Sequence, residues 1–215
     1  MNLGACKRLA LSPETGTWYR AVRLAFIRTP INTAHTKSTP SRFSSGTLAT
    51  PPFEILYLTE TPQVAQFEIG ALAGDPLTVG GVLSAPTSFG VVLVNVVLQK
   101  VADLSLVDQQ NLLETTAQEL TGDWRGYQQR ALPNASIREP VGTAPTQDLG
   151  EALHATPGIE AFYTPSAKLP YHRNLIVFPQ KMFKGSKLDF QDEAASLIQT
   201  FDGKVPKTSR RGWRP

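Results

Sequence analysis

The stretch EILYLTETPQVAQFEIGAL, residues 54–72, decides how this chain is read. EILYLT (54–59) is a short apolar run of strand formers. Thr61 followed by Pro62 is a helix start, with a hydroxyl at the N-cap and proline at the first helical position. Val64, Phe67, Glu68, Ala71 and Leu72 then recur at i, i+3, i+4, i+7 and i+8, which is one helical face, and Gly74 is the expected stop. Glu68 therefore falls inside the apolar stripe. An unpaired carboxylate is costly to bury, so Glu68 either sits at the stripe's edge with a polar partner or has a chemical task.

Outward from this stretch, TWYRAVRLAFI (17–27) is β-prone and partly alternating. Residues 30–52, rich in Ser, Thr and Pro and without apolar periodicity, read as a long loop, the kind of segment that often carries function in a compact domain. VVLVNVVL (91–98) predicts a buried strand. LVDQQNLLETTAQEL (106–120) predicts an amphipathic helix, and TQDLGEALHA (146–155) a second. Residues 159–164 and 174–178 predict two more strands, and 192–201 a terminal helix. Strands and helices mix without regular βαβ alternation, which predicts an α+β fold with largely antiparallel pairing. Neither GxGxxG nor GxxxxGKS is present, so no dinucleotide-binding Rossmann unit or P-loop is expected.

The 215 residues are 41% hydrophobic, enough for one core, and 18% charged, too few for a charged disordered chain. The longest apolar run falls well short of the ~20 residues of a membrane helix, and MNLGACKRLALSPE lacks a signal-peptide core. The one cysteine, Cys6, fits a reducing compartment. His35, His154 and His172 lie far apart without ligand spacing, so no metal is expected. The expectation is a soluble, cytoplasmic protein. The tail GKVPKTSRRGWRP (203–215) holds five of the basic residues behind the net charge of +3. It reads as a solvated tail rather than a nucleic-acid arm, so direct nucleic-acid binding is not expected.

Four further positions invite chemistry. Arg42, in SRFSSG (41–46), is a guanidinium among small residues and could clamp a phosphate, although a solvated arginine is the ordinary case. Tyr57, within ILYLT, could stack on a ligand ring or simply fill the core. Ser166, in TPSAK, follows a strand but has no GxSxG around it, so a hydrolase elbow is not supported. Arg20, with Arg23 in YRAVR, would suit an anionic ligand if it faced a cavity.

Taken together, YRAV (19–22), SRFSSG (41–46), residues 54–72, LTGDWRGY (120–127), PTQDLGEAL (145–153) and GIEAFYTPSAKLPYHRNLIVFP (158–179) resemble the RES-domain family, the toxin half of Xre–RES toxin–antitoxin systems. The resemblance spans a single domain over residues 15–190, with 1–14 as an N-terminal extension and 203–215 as a basic tail. Ser41 and Ser44 depart from the family's usual glycine and asparagine around the arginine. The resemblance implies an ADP-ribosyltransferase-like fold, a split pair of small, largely antiparallel β-sheets with surrounding helices, framing a cleft for NAD as substrate. It implies that the nicotinamide–ribose bond is cleaved, with water or phosphate as acceptor, or alternatively that a protein is mono-ADP-ribosylated. It also implies an Xre-type antitoxin covering the cleft. Carried onto this chain, Glu68 would stabilise the oxocarbenium-like ribose and hold a ribose hydroxyl. Tyr57 would stack on nicotinamide, Arg42 would bind the diphosphate with Arg20 in support, and Ser166 would bond nicotinamide or ribose, or orient Glu68. A non-enzymatic nucleic-acid or partner-binding protein, resting on the tail, is the reading from another class.

Overall fold

The computed structural model describes residues 1–69, 72–73, 82–83, 89–129, 142–192, 196–204 and 206–208. Among these residues ten strands are defined: β1 (Leu11–Arg23), β2 (Leu56–Thr59), β3 (Leu72–Ala73), β4 (Val82–Leu83), β5 (Phe89–Asp103), β6 (Ala161–Pro165), β7 (Arg173–Val177), β8 (Lys187–Gln191), β9 (Leu197–Phe201) and β10 (Lys207–Thr208). Five helices accompany them: α1 (Pro62–Glu68), α2 (Val107–Leu112), α3 (Ala117–Thr121), α4 (Arg125–Gln129) and α5 (Pro145–Ala155).

The α+β class follows, and the sheet is split. One edge of β5 pairs with β1 along its length, while the other carries β8 at residues 93–97 and β6 at residues 101–103. One layer is therefore β1–β5–β8–β9–β10 and the other is β2–β7–β6, with a second seam at the single pair Tyr19↔Thr59. Among the described residues every pairing is antiparallel except β5–β6. At the fork, the backbone N–H groups of Gln99 and Lys100 have lost β8 and not yet reached β6. The carboxylate of Glu160, 0% exposed, accepts both, the second at 2.8 Å, and takes Phe183 N–H at 2.9 Å on its other oxygen.

Two cores flank β2–β7–β6. Leu56, Leu58, Leu175 and Val177 face Val92, Val94 and Val96 of β5, with Trp18 stacked on Tyr163 at 5.6 Å. On the opposite face Phe162, Ile176 and Phe178 pack with Phe43, Phe53, Leu149 and Leu153 under α5. Within the N-terminal extension, Ala5 and Cys6 are buried in this second core.

Several expectations are corrected. The stripe begun at Thr61 ends at Glu68, one turn early, before the poor helix formers Ile69 and Gly70; Ala71 and the Gly74 stop lie outside the described residues. The strand at 91–98 is longer, Phe89–Asp103, and half-buried, with even positions 92–98 inward. The helix expected over 106–120 is two, because Glu114 adopts a left-handed φ of 51° and Thr116 caps a new start by accepting Glu119 N–H at 3.2 Å. The terminal helix at 192–201 is instead β9, with Gln199 and Phe201 buried in alternation, because β8 offers a free ladder edge. β8 itself, KLDFQ with Leu188 and Phe190 inward, carried a period-two signal.

Candidate active site

Cross-strand register brings the site residues together. Tyr57 lies opposite Ile176 and Thr59 opposite Asn174, while Asn174 also faces Thr164 of β6. Directly opposed residues share a face, so Thr59, Asn174 and Thr164 form a polar row where the phenylalanine-rich core gives out. From the end of β2, Thr61 caps α1 by accepting Val64 N–H at 3.2 Å, and Val64, Ala65 and Phe67 anchor the helix. Glu68, its last residue, is delivered above that row. The end of a helix disfavours a carboxylate, since the last carbonyls are themselves partly negative, and local donors offset this. Ser166 Oγ and Asn174 Nδ2 both donate to Glu68 Oε1, each at 2.8 Å. The Ser166 hydroxyl also accepts Lys168 N–H and Leu169 N–H at 3.2 Å, so its one proton is committed to Glu68. Among the described residues both hydrogen bonds to Glu68 fall on the same oxygen.

The Ser/Thr-rich loop is tied down from two sides. The Tyr57 hydroxyl contacts Ser41 Oγ at 3.0 Å and accepts Phe43 N–H at 3.1 Å. Gln147 of α5 donates to the Ser41 carbonyl at 2.9 Å. Gly150 permits this approach, since a Cβ there would lie 2.0 Å from the Phe43 carbonyl oxygen. Burial pushes the Tyr57 phenol up to about 12, against its hydrogen bonds and the charge of Arg42. Arg42 donates to the Leu120 carbonyl at 3.3 Å; burial lowers its pKa, while Glu68, Tyr57 and Asp123 act in the other direction.

A cavity of about 700 Å³ opens beside these groups, with Arg20, His35, Tyr57, Thr59 and Glu68 on its wall and Phe26 and Ile69 at its apolar side. Arg20 lies between Trp18 and Val22 on the inward face of β1, opposite the fully buried Val92. Its guanidinium donates to the Tyr57 carbonyl at 3.3 Å, its Nε is buried without a partner, and among the described residues no carboxylate pairs with it. Burial lowers it to about 10, so it remains charged at neutral pH. His35 is held below its ordinary value by burial and then by the charge of Arg20.

The fold thus brings Arg20, Tyr57 and Glu68 onto one cavity wall. Ser166 stands behind Glu68, and Arg42 lies within electrostatic range of Glu68 without lining the cavity. Sequence reasoning missed Asn174 and His35. Asn174 had a signal, a lone amide in the apolar run NLIVF; His35 had none.

The α+β fold places a cation that no described carboxylate pairs with and a donor-held carboxylate on one cavity wall, an arrangement suited to a polar, anionic ligand. The chain belongs to the RES-domain family, whose model matches residues 17–197. No curated protein matches the chain. Among solved structures it is similar to a chain in the crystal structure of the M. tuberculosis MbcT–MbcA toxin–antitoxin complex, with a TM-score of 0.53 and 16% identity, covering 96% of this chain and 91% of that one. At that identity the likeness is one of fold, and it agrees with the mixed α+β architecture. No helix of the described residues is long and apolar enough to cross a membrane.

Proposed function

We propose that this chain is the toxin of a toxin–antitoxin pair and that it breaks the nicotinamide–ribose bond of NAD. One observation carries the reading: among the described residues, the cavity wall holds a half-buried guanidinium with a buried, unpartnered Nε and no acid beside it, Arg20, and a carboxylate, Glu68, whose two donors occupy one oxygen and leave the other for a ligand. A diphosphate would neutralise Arg20, with Arg42 as further positive charge. The Tyr57 ring on the same wall suits a flat aromatic leaving group. As the C1′–N bond lengthens, positive charge develops at C1′, and Glu68, fixed in place beforehand, stabilises it without reorganising. The bonding pair leaves on the nicotinamide nitrogen, which becomes neutral, so no general acid is needed. Water or phosphate then bonds to C1′, and with water the surplus proton passes to solvent.

Membership of the RES-domain family favours an antitoxin partner, for which an Xre type is our expectation, and the fold neighbour comes from a toxin–antitoxin complex. The cavity wall supports a covering partner too, with Phe26 51% and Ile69 38% exposed. The test is to incubate the purified chain with NAD, with and without phosphate, and to follow nicotinamide and product masses. Release by the native chain but not by Glu68→Gln is the expected result. Label retained on protein would redirect the reading to protein ADP-ribosylation, and no release under any condition would overturn it.

A further inference from the structure

Asn174 makes one hydrogen bond that matters and forgoes another. Its Nδ2 donates to Glu68 Oε1 at 2.8 Å, while its Oδ1, also buried, has no partner; across the strand pair Thr164 Oγ1 is buried without one as well. Asn174 is 6% exposed in the middle of the β2–β7–β6 layer, where its backbone is fixed on both sides by the ladder. Turning the amide over would give Oδ1 no better company, because it would set a carbonyl against a carboxylate. An unpaired buried acceptor is normally selected against. Here it accompanies a donor aimed at one oxygen of one side chain.

We infer that Asn174 is a positioning residue, an amide clamp that together with Ser166 pins Oε1 of Glu68 so that Oε2 is presented to the cavity. The inference rests on the reading of Glu68 as the group that faces the ribose. Ser166 and Asn174 approach from different elements, the turn after β6 and strand β7, and two fixed donors on one carboxylate oxygen define its direction where one would leave it free to swing. Asn174 is not among the residues that line the cavity, so its effect acts through Glu68.

The test is a pair of substitutions read by nicotinamide release. Asn174→Ala removes the donor and also the orphan acceptor, so the thermal midpoint holds or rises, kcat falls about 30–100-fold through misplacement of Glu68, and KM for NAD stays within about threefold. Asn174→Asp keeps the shape but sets a carboxylate against Oε1, and its kcat falls further than that of the alanine variant. A packing role gives the reverse order, since Asp is the closer isostere. Asp milder than Ala, or KM rising in step with the loss of kcat, overturns the clamp. If the native chain releases no nicotinamide, the reaction assignment fails, and the clamp is judged by NMR: the Asn174 side-chain amide protons exchange slowly in the native chain and quickly in Glu68→Ala. Equal exchange in the two overturns it independently of activity.

Discussion

Glu160 and Glu68 are both carboxylates placed in apolar surroundings, and they are satisfied in opposite ways. Glu160 sits at the fork between β8 and β6 and uses both oxygens on three backbone N–H groups, those of Gln99, Lys100 and Phe183. Backbone donors cannot rotate away, so that carboxylate is fixed through both oxygens and is part of the frame. Among the described residues Glu68 takes two side-chain donors on a single oxygen, and it borders a cavity. The difference separates structure from chemistry: a buried carboxylate with both oxygens held by backbone donors holds the fold, and one with an oxygen uncommitted is available to a ligand. Burial alone would have ranked Glu160, at 0% exposure, as the more suspicious of the two.

Exchanging the losses sharpens this contrast. Glu68→Gln keeps the shape and leaves an amide oxygen for Ser166 and Asn174, so nicotinamide release falls by about 10³-fold or more while the urea midpoint barely moves. Glu160→Ala abandons three buried N–H donors and costs at least ~3 kcal/mol of stability in urea unfolding, with the activity of the remaining folded molecules close to native. A Glu160 variant that unfolds normally but loses turnover would break the comparison, because the frame residue would then be acting in the site.

Arg20 extends the argument to the opposite charge. It is half-buried, with its Nε buried and unpartnered and, among the described residues, without an acid to pair with. Replacing a half-buried cation that no described acid compensates by an apolar side chain removes part of a desolvation cost, so Arg20→Leu leaves the chain as stable as the native one or up to about 1 kcal/mol more stable, while KM for NAD rises steeply. Thermal melts and initial rates on one preparation measure both. A destabilised variant would mean that Arg20 belongs with Glu160, as a member of the frame.

The sequence showed the local parts of this design and not the distant ones. Thr61–Pro62 marked the start of α1 because a cap is a contact three residues long, and β6 and β7, short apolar runs buried on both faces, were legible for a similar reason. Glu68 stood out because a charge in an apolar stripe is visible by period. Glu160, in the run IEAFY, looks the same by that criterion, and what distinguishes the two lies far along the chain: Ser166 and Asn174 are 98 and 106 residues from Glu68. The priority of Arg20 over Arg42 on the cavity wall was equally hidden, since it depends on which guanidinium the tertiary fold turns onto that wall. The break in 106–120 and the strand at 197–201 were missed where a cap or a neighbouring edge overrode an acceptable helical period.

The smallest expected effect concerns a third ionisable group in an apolar setting, His154. It stacks on Phe53 at 4.3 Å and meets Phe178 edge-on at 5.2 Å, with Lys181 donating to the carbonyls that end α5. Burial first, and then the charge of Lys181, lowers its pKa from 6.5 to about 4. The folded chain therefore holds the imidazole neutral where the unfolded chain takes up a proton. The stability this contributes is complete above pH 6.5 and is lost as the pH falls from there toward 4. The native chain should thus lose urea resistance between pH 6.5 and 4.5 more steeply than His154→Phe, in which the stack survives without the proton. All carboxylates titrate alike in the two chains, so the difference in slope belongs to His154. Parallel slopes would show that the imidazole is protonated within the folded stack and that this ionisable group, unlike Glu160, is neither part of the frame nor held in a single charge state by it.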